Sequence, residues 1–169
     1  MIQSLVAERQ ARRNEAASGI AEGWGKRQTI SCPYIAIPYE RRWKDATYGE
    51  SLVMRLPVDA VEWTIAAEIG EKARGIYKAR LYTARISAAG SVTLPARASL
   101  EEGTHSYKWS HARLVLGISD ALGIRGAPEV HVDDEVRPLS PGSGDGATSG
   151  GLHVVIGALE AAMARTVKF

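Results

Sequence analysis

The chain has little cysteine, no long apolar run and almost no net charge, and each shortage removes a class of protein. Cys32 is the only cysteine, so no intrachain disulfide can form and a cysteine-rich structural metal site is excluded. One thiol does not separate periplasm from cytoplasm. No apolar stretch approaches the roughly 18 to 20 residues that cross a bilayer, and the beginning lacks the charged start and long apolar stretch of a signal peptide. Read this way, the chain is expected to be soluble. Lys and Arg number 21 against 19 Asp and Glu, too weak a field to argue for nucleic acid or anionic lipid as a partner. The local basic clusters, Arg9, Arg12 and Arg13, then Arg41, Arg42 and Lys44, are offset by Glu8, Glu15, Glu40 and Asp45 and read as solvated surface. No lysine follows the glycines of Ser140 to Gly151, so that segment is not a phosphate-binding loop.

What remains is 169 residues, 45% of them hydrophobic, about one domain with enough apolar mass for a core. Ile2, Leu5, Val6, Arg9, Arg13, Ala16, Ala17, Ile20 and Trp24 recur at helical spacing, which predicts an N-terminal amphipathic helix over residues 1–25, supported by Glu8 and Arg12 four apart and stopped near Gly23 and Gly25. From residue 26 to 169 the pattern is that of strands. Ile30 to Tyr39 is rich in β-branched and aromatic residues, with Pro33 and Pro38 expected at its ends or on a sheet edge. Ser51 to Leu56 forms a second strand. Val61, Trp63, Ile65, Ala67 and Ile69 alternate with polar residues and predict a half-buried strand with its apolar side on a core. Ile76 to Ile86 continues the pattern, Ala88 to Ser91 is expected to turn, and Val92 to Leu94 to return. Leu114 to Leu116 reads as a short buried strand, Ser119-Asp120 as a turn or helix cap. Glu129 to Arg137 reads as a hairpin tipped by Asp133-Asp134. Ser140 to Gly151 is a glycine-rich loop, expected to be mobile. The fold class that follows is mainly β, α+β at its margin: an antiparallel, sandwich-like sheet led by one helix.

Four groups of residues offer chemistry. Gly117-Ile118-Ser119-Asp120-Ala121 resembles a nucleophile elbow, with Asp133 and His153 following in hydrolase order. However, Ala121 stands where that motif has glycine, and the strand–helix alternation that positions such a triad is missing. A structural turn in which Ser119 or Asp120 binds backbone amides is the favoured reading, and a serine hydrolase on Ser119 the alternative. His131, Asp133, Asp134 and Glu135 have metal-ligand atoms, but alternation and a tight turn splay them apart, so an exposed hairpin tip is expected. His105, His111 and His153 read as satisfied or surface histidines. The scatter of Trp24, Trp43, Trp63 and Trp109 argues for packing, Trp24 excepted, whose place at the end of the helix would suit a membrane interface. A third reading is a peptide- or small-ligand-binding module whose strand edges accept a partner strand.

Three patterned segments occur in a recognisable order. They are Val6-Ala7-Glu8-Arg9 through Trp24 with Ser31 to Tyr39; Arg74-Gly75-Ile76-Tyr77-Lys78 with Tyr82; and Leu114 through Gly117-Ile118-Ser119-Asp120-Ala121-Leu122-Gly123-Ile124, Pro141-Gly142-Ser143-Gly144 and Gly150-Gly151-Leu152-His153. Together, from about Leu5 onward, they resemble the inner membrane protein CreD family, with Ala121-Leu122 replacing a pair often basic at its second position. The resemblance implies the N-proximal part of an extracytoplasmic domain, incomplete at its C-terminal side. Membrane helices would flank it, one just before the Val6 region. It also implies a strand beginning near Thr166, where local propensity from Gly157 to Arg165 favours helix. The implied function is non-enzymatic, linked to the Cre two-component regulon, envelope integrity and colicin tolerance. No catalytic residue, cofactor or metal is implied. The implied partners are the bilayer, through those flanking helices, and an envelope protein, with no nucleic acid. The implied location is the bacterial inner membrane, this segment facing the periplasm. Gly75, Ile76, Tyr77, Gly117, Ser119, Asp120, Gly123, Ile124, Pro141, Gly142 and His153 carry the family motifs in structural roles.

Overall fold

The computed structural model describes residues 2–24, 27–43, 49–96, 105–132, 135–146, 150–157 and 165–168. One helix, α1 (Ile2–Glu22), precedes strands β1 (Tyr34–Arg42), β2 (Gly49–Pro57), β3 (Ala60–Arg74), β4 (Tyr77–Leu94), β5 (His105–Tyr107), β6 (Arg113–Leu116), β7 (Glu129–Val132), β8 (Glu135–Pro138), β9 (Ser140–Pro141), β10 (Leu152–Val155) and β11 (Arg165–Lys168). The strand pairings with a defined register are antiparallel. The expected mainly β class with a single N-terminal helix is therefore what the chain adopts. Two compact units are present, residues 29–63 with 88–169, and residues 1–28 with 64–87.

In the larger unit β1 is central. It pairs with β2 along its whole length on one side, and with β6 and then β5 on the other. The sheet order is β2-β1-β6-β10-β9. Tyr34-Ile35-Ala36-Ile37 suits this place because β-branched side chains pack well on a pleated surface. Ile35 lies opposite Leu56 and Leu114, and Ile37 opposite Met54. These residues and Val154 face a core completed by Val92 and Leu94 of β4, Val132 of β7, and Trp109. Residues from all three sheets thus share one core. Ile35 and Ile37 are fully buried, each stabilising the unit by about 1.5–3 kcal/mol.

Pro38 is a correction, since it lies inside central β1 rather than at an end or edge. A strand residue's N–H and C=O point to the same side. The Pro38 carbonyl accepts from the Lys108 N–H at 2.8 Å, so its missing N–H faces the gap between β5 and β6, where a short 3-10 turn, Trp109–His111, replaces a strand. No bond to β2 is lost.

The predicted turn at Ala88 to Ser91 is also corrected. β4 runs unbroken through it, and the chain reverses at Gly75-Ile76, where Gly75 has φ 61°. Ala and Ser impose no turn, whereas a two-residue hairpin needs positive φ. On the apolar side of β3 only Val61 and Trp63 are half-buried; Ile65 and Ile69 are 63% and 80% exposed.

In the smaller unit the amphipathic reading of α1 narrows to its last turns. Ala16, Ala17, Ile20, Ala21 and Trp24 are half-buried, whereas Leu5 and Val6 are exposed. Trp24 carries the Lys72 ammonium 4.7 Å from its ring centroid. The Glu8–Arg12 pair forms at 2.7 Å on the solvent side. Among the described residues no helix is long and apolar enough to cross a membrane.

Of the other tryptophans, Trp109 is in the core and Trp63 half-buried, but Trp43 is exposed beneath the Arg41 guanidinium. The β7–β8 hairpin forms as read; its tip, Asp133-Asp134, lies outside the described residues. So does most of Gly157 to Arg165, after which β11 supplies the strand expected near Thr166.

Candidate functional site

The six-stranded sheet has a second face, opposite the core. Register and alternation place Tyr34, Ala36, Arg55, Arg113, Val115 and His153 on it. The glycine-rich segment after β9 is fastened across these residues. Gly142, Gly144 and Gly146 have φ of 88°, 68° and 73°, a sequence of left-handed residues that only glycine adopts without strain. The Gly142 N–H donates to the Gly151 carbonyl, and the Gly142 carbonyl accepts from His153 Nδ1, both at 2.8 Å; a carbonyl only accepts, so Nδ1 carries the proton. Arg113 donates to the Gly144 carbonyl. Asp145, its side chain fully buried, accepts from the Tyr34 hydroxyl at 3.1 Å and from Arg55 Nε at 3.0 Å. Burial, and then the bond to Asp145, raise the Tyr34 hydroxyl pKa above its ordinary value. The described part of the expected mobile loop is thus a clasp, because one buried carboxylate and two carbonyls hold it to the sheet.

Beside the clasp lies an open cleft of about 470 Å³, lined by Pro38, Ser51, Val53, Lys108, His111, Arg113 and Asp145 among others. Its charged groups are largely engaged. Lys108 is 2.6 Å from Glu40, whose carboxyl it holds below the usual carboxylate range, with Arg42 adding to the effect. His111 Nδ1 is 3.1 Å from Ser110 Oγ. The Arg113 Nε is buried without a hydrogen-bond partner among the described residues. The lining mixes apolar side chains, Pro38, Leu52 and Val53, with the polar groups of Lys108, His111 and Arg113.

The motif residues of the second half of the chain come together at this end of the sheet. Gly117-Ile118-Ser119 zips against Thr29-Ile30-Ser31: the Ser31 N–H donates to the Gly117 carbonyl at 2.9 Å, the Ser119 N–H to the Thr29 carbonyl at 3.0 Å, and Ile30 bridges Ile118. Ser119 Oγ accepts from the Thr29 N–H at 2.9 Å. Asp120 caps the short 3-10 turn Ala121–Gly123, accepting from the Leu122 N–H at 2.9 Å, and Ile124 closes it onto the Ala121 carbonyl. Both acidic and hydroxyl side chains of the motif therefore bind backbone amides. Pro141 pairs with Leu152 opposite β6. Gly75-Ile76-Tyr77 is apart from this group, in the β3–β4 turn of the smaller unit, with Ile76 88% exposed. His105 stacks near Tyr39, ring centroids 5.6 Å apart, and His131 is exposed on β7. Among the described residues no three His, Cys, Asp or Glu side chains form a metal-binding group.

Tyr34, Arg55 and Asp145 were not singled out by sequence. The signal available was an aspartate between two glycines, Gly144 and Gly146, in a segment otherwise without charge; nothing in sequence spacing connects it to residues 34 and 55.

No curated protein and no solved structure gives a significant match. The family model described as inner membrane protein CreD matches residues 1–169, the whole chain, and the chain belongs to that family.

Proposed function

We propose that this chain is a non-catalytic, extracytoplasmic part of a CreD-family inner membrane protein, and that it serves cell-envelope integrity by binding rather than by chemistry. Family membership over the whole chain carries the reading. The bond from the Thr29 N–H to Ser119 Oγ gives this serine a structural role, fastening residues 29–31 to 117–119, and so supports the non-enzymatic side. The clasp supports a binding role: it pairs Asp145 with Arg55 and fixes Arg113, one of the cleft's donors. On this reading flanking membrane helices tie the chain to the bilayer, and the family's link to the Cre regulon supports a role in envelope stress.

The experiment is complementation of a strain deleted for the gene, with growth in detergent and colicin tolerance as readouts. Ser119→Ala in the complete gene product is expected to complement as the parent does. It costs about 1 kcal/mol of folding stability, because the Thr29 N–H loses its acceptor. Full loss of complementation by a variant still present at parental level, together with labelling of Ser119 by a serine-directed fluorophosphonate probe, would overturn the proposal.

A further inference from the structure

Strand β3 is the outer strand of the sheet ordered β11-β4-β3, and among the described residues no strand pairs with its free edge. It is 15 residues long and exposed from Thr64 to Arg74. Proteins protect such edges by shortness, proline, bulges or inward-pointing charge. The sequence AVEWTIAAEIGEKAR has no proline, and its apolar face, Ile65, Ala67 and Ile69, carries no charge until Glu71. Tyr82 and Ile86 on neighbouring β4 are also exposed, at 62% and 39%.

We propose that β3 pairs edge to edge with β3 of a second copy of this chain, antiparallel about a two-fold axis through Ala67. A two-fold axis at a residue sets position i against its mirror position, so every pairing off the axis occurs twice. Centred on Ala67, Ile65 meets Ile69 of the second copy, Ala67 meets itself, and Glu62 meets Lys72. Apolar pairs and an opposite-charge pair then recur on both sides of the axis, each stabilising the ladder. Centring one residue later pairs Glu62 with Arg74 but sets Glu68 against itself, a like-charge contact. Centring one earlier sets Lys72 against Ala60 and forms no ion pair. Centring on Gly70 sets Glu68 against Lys72 but Ile69 against Glu71, and shortens the overlap to residues 66–74. Of these registers the one centred on Ala67 joins apolar pairs to ion pairs without a like-charge contact, and this self-complementarity selects a second copy as the occupant. Lys72 is already positioned by the Trp24 ring, on the face that Glu62 shares by alternation.

The test uses the full chain with Cys32, an exposed free thiol, changed to serine. Directly opposed strand residues have Cα atoms about 4.5–5.5 Å apart, within disulfide reach. Ala67→Cys is expected to give a covalent dimer on mild oxidation, Ile69→Cys to give little, and Ile65→Cys combined with Ile69→Cys to cross-link again. By sedimentation, Lys72→Glu is expected to weaken dimerisation about tenfold, and the exchange Glu62→Lys with Lys72→Glu to restore it. A chain that stays monomeric at all concentrations, equal cross-linking at positions 67 and 69, or no rescue by the charge exchange would overturn the proposal.

Discussion

Gly150→Ala is expected to destabilise the larger unit by about 3 kcal/mol or more, lowering Tm by roughly 6–12 °C. A Cβ at this position would lie 2.3 Å from the Ile118 carbonyl oxygen and 3.4 Å from that of Ser119. Both are backbone atoms, and Ile118 is itself bridged to Ile30, so relief requires moving the zipper between residues 29–31 and 117–119. Gly151 is constrained as well, with φ 139° and the Leu116 carbonyl 2.9 Å from an added Cβ. Gly70 is the control: it is in β3, has ordinary φ, and an added Cβ would meet nothing within 4 Å. Gly70→Ala should therefore leave stability unchanged or raise it slightly. Thermal unfolding of the three proteins side by side checks this; equal Tm values would show that the approach of residues 150 and 118 is not close.

Asp145→Ala is expected to cost about 2–3 kcal/mol and to release the clasp. The figure is below that of a fully buried ion pair because Arg55 is 47% exposed. Truncation leaves the Tyr34 hydroxyl and the Arg55 guanidinium without their acceptor, whereas Asp145→Asn keeps an acceptor for Tyr34 and should cost about 1 kcal/mol. Denaturant unfolding gives these values, and faster proteolysis between Gly142 and Gly151 reports release of the segment. The pH dependence has a definite sign. Tyr34 has its pKa raised above 10.0 by burial first and by Asp145 second, so from about pH 10 upward the folded state holds a proton that the unfolded state has lost. Unfolding free energy therefore falls with rising pH in that alkaline window and is unaffected by this group below it. Tyr34→Phe removes this part of the alkaline loss, and Asp145→Ala reduces it, since burial alone then raises the pKa.

Legibility in the sequence followed the range of the interaction. Strands such as Tyr34–Arg42 and Gly49–Pro57 were visible because β-branched and alternating residues report their own local environment. The helix was visible for the same reason, but its periodicity did not reveal that only residues near Trp24 find a packing surface. Pro38 was misplaced because tolerance of a proline depends on what a neighbouring strand does; the 3-10 turn after Lys108 creates the gap, 70 residues away in the chain. The turn at Gly75 was hidden by Ala88-Ala89-Gly90-Ser91, whose composition resembles a turn although the backbone there is extended. The clasp was least legible. A run of glycines reads as freedom when the partners, Tyr34, Arg55, Arg113 and His153, lie on four different strands or their approaches.

Fractionation of the native gene product decides whether this chain is the extracytoplasmic part of an anchored CreD-family protein. An antibody to this segment is applied to membranes washed with alkaline carbonate and to spheroplasts treated with external protease. An anchored protein gives a carbonate-resistant band larger than the 18.2 kDa of this chain, degraded by protease added outside the inner membrane. A band released by carbonate, or one protected from external protease until the membrane is broken, would contradict the proposed function.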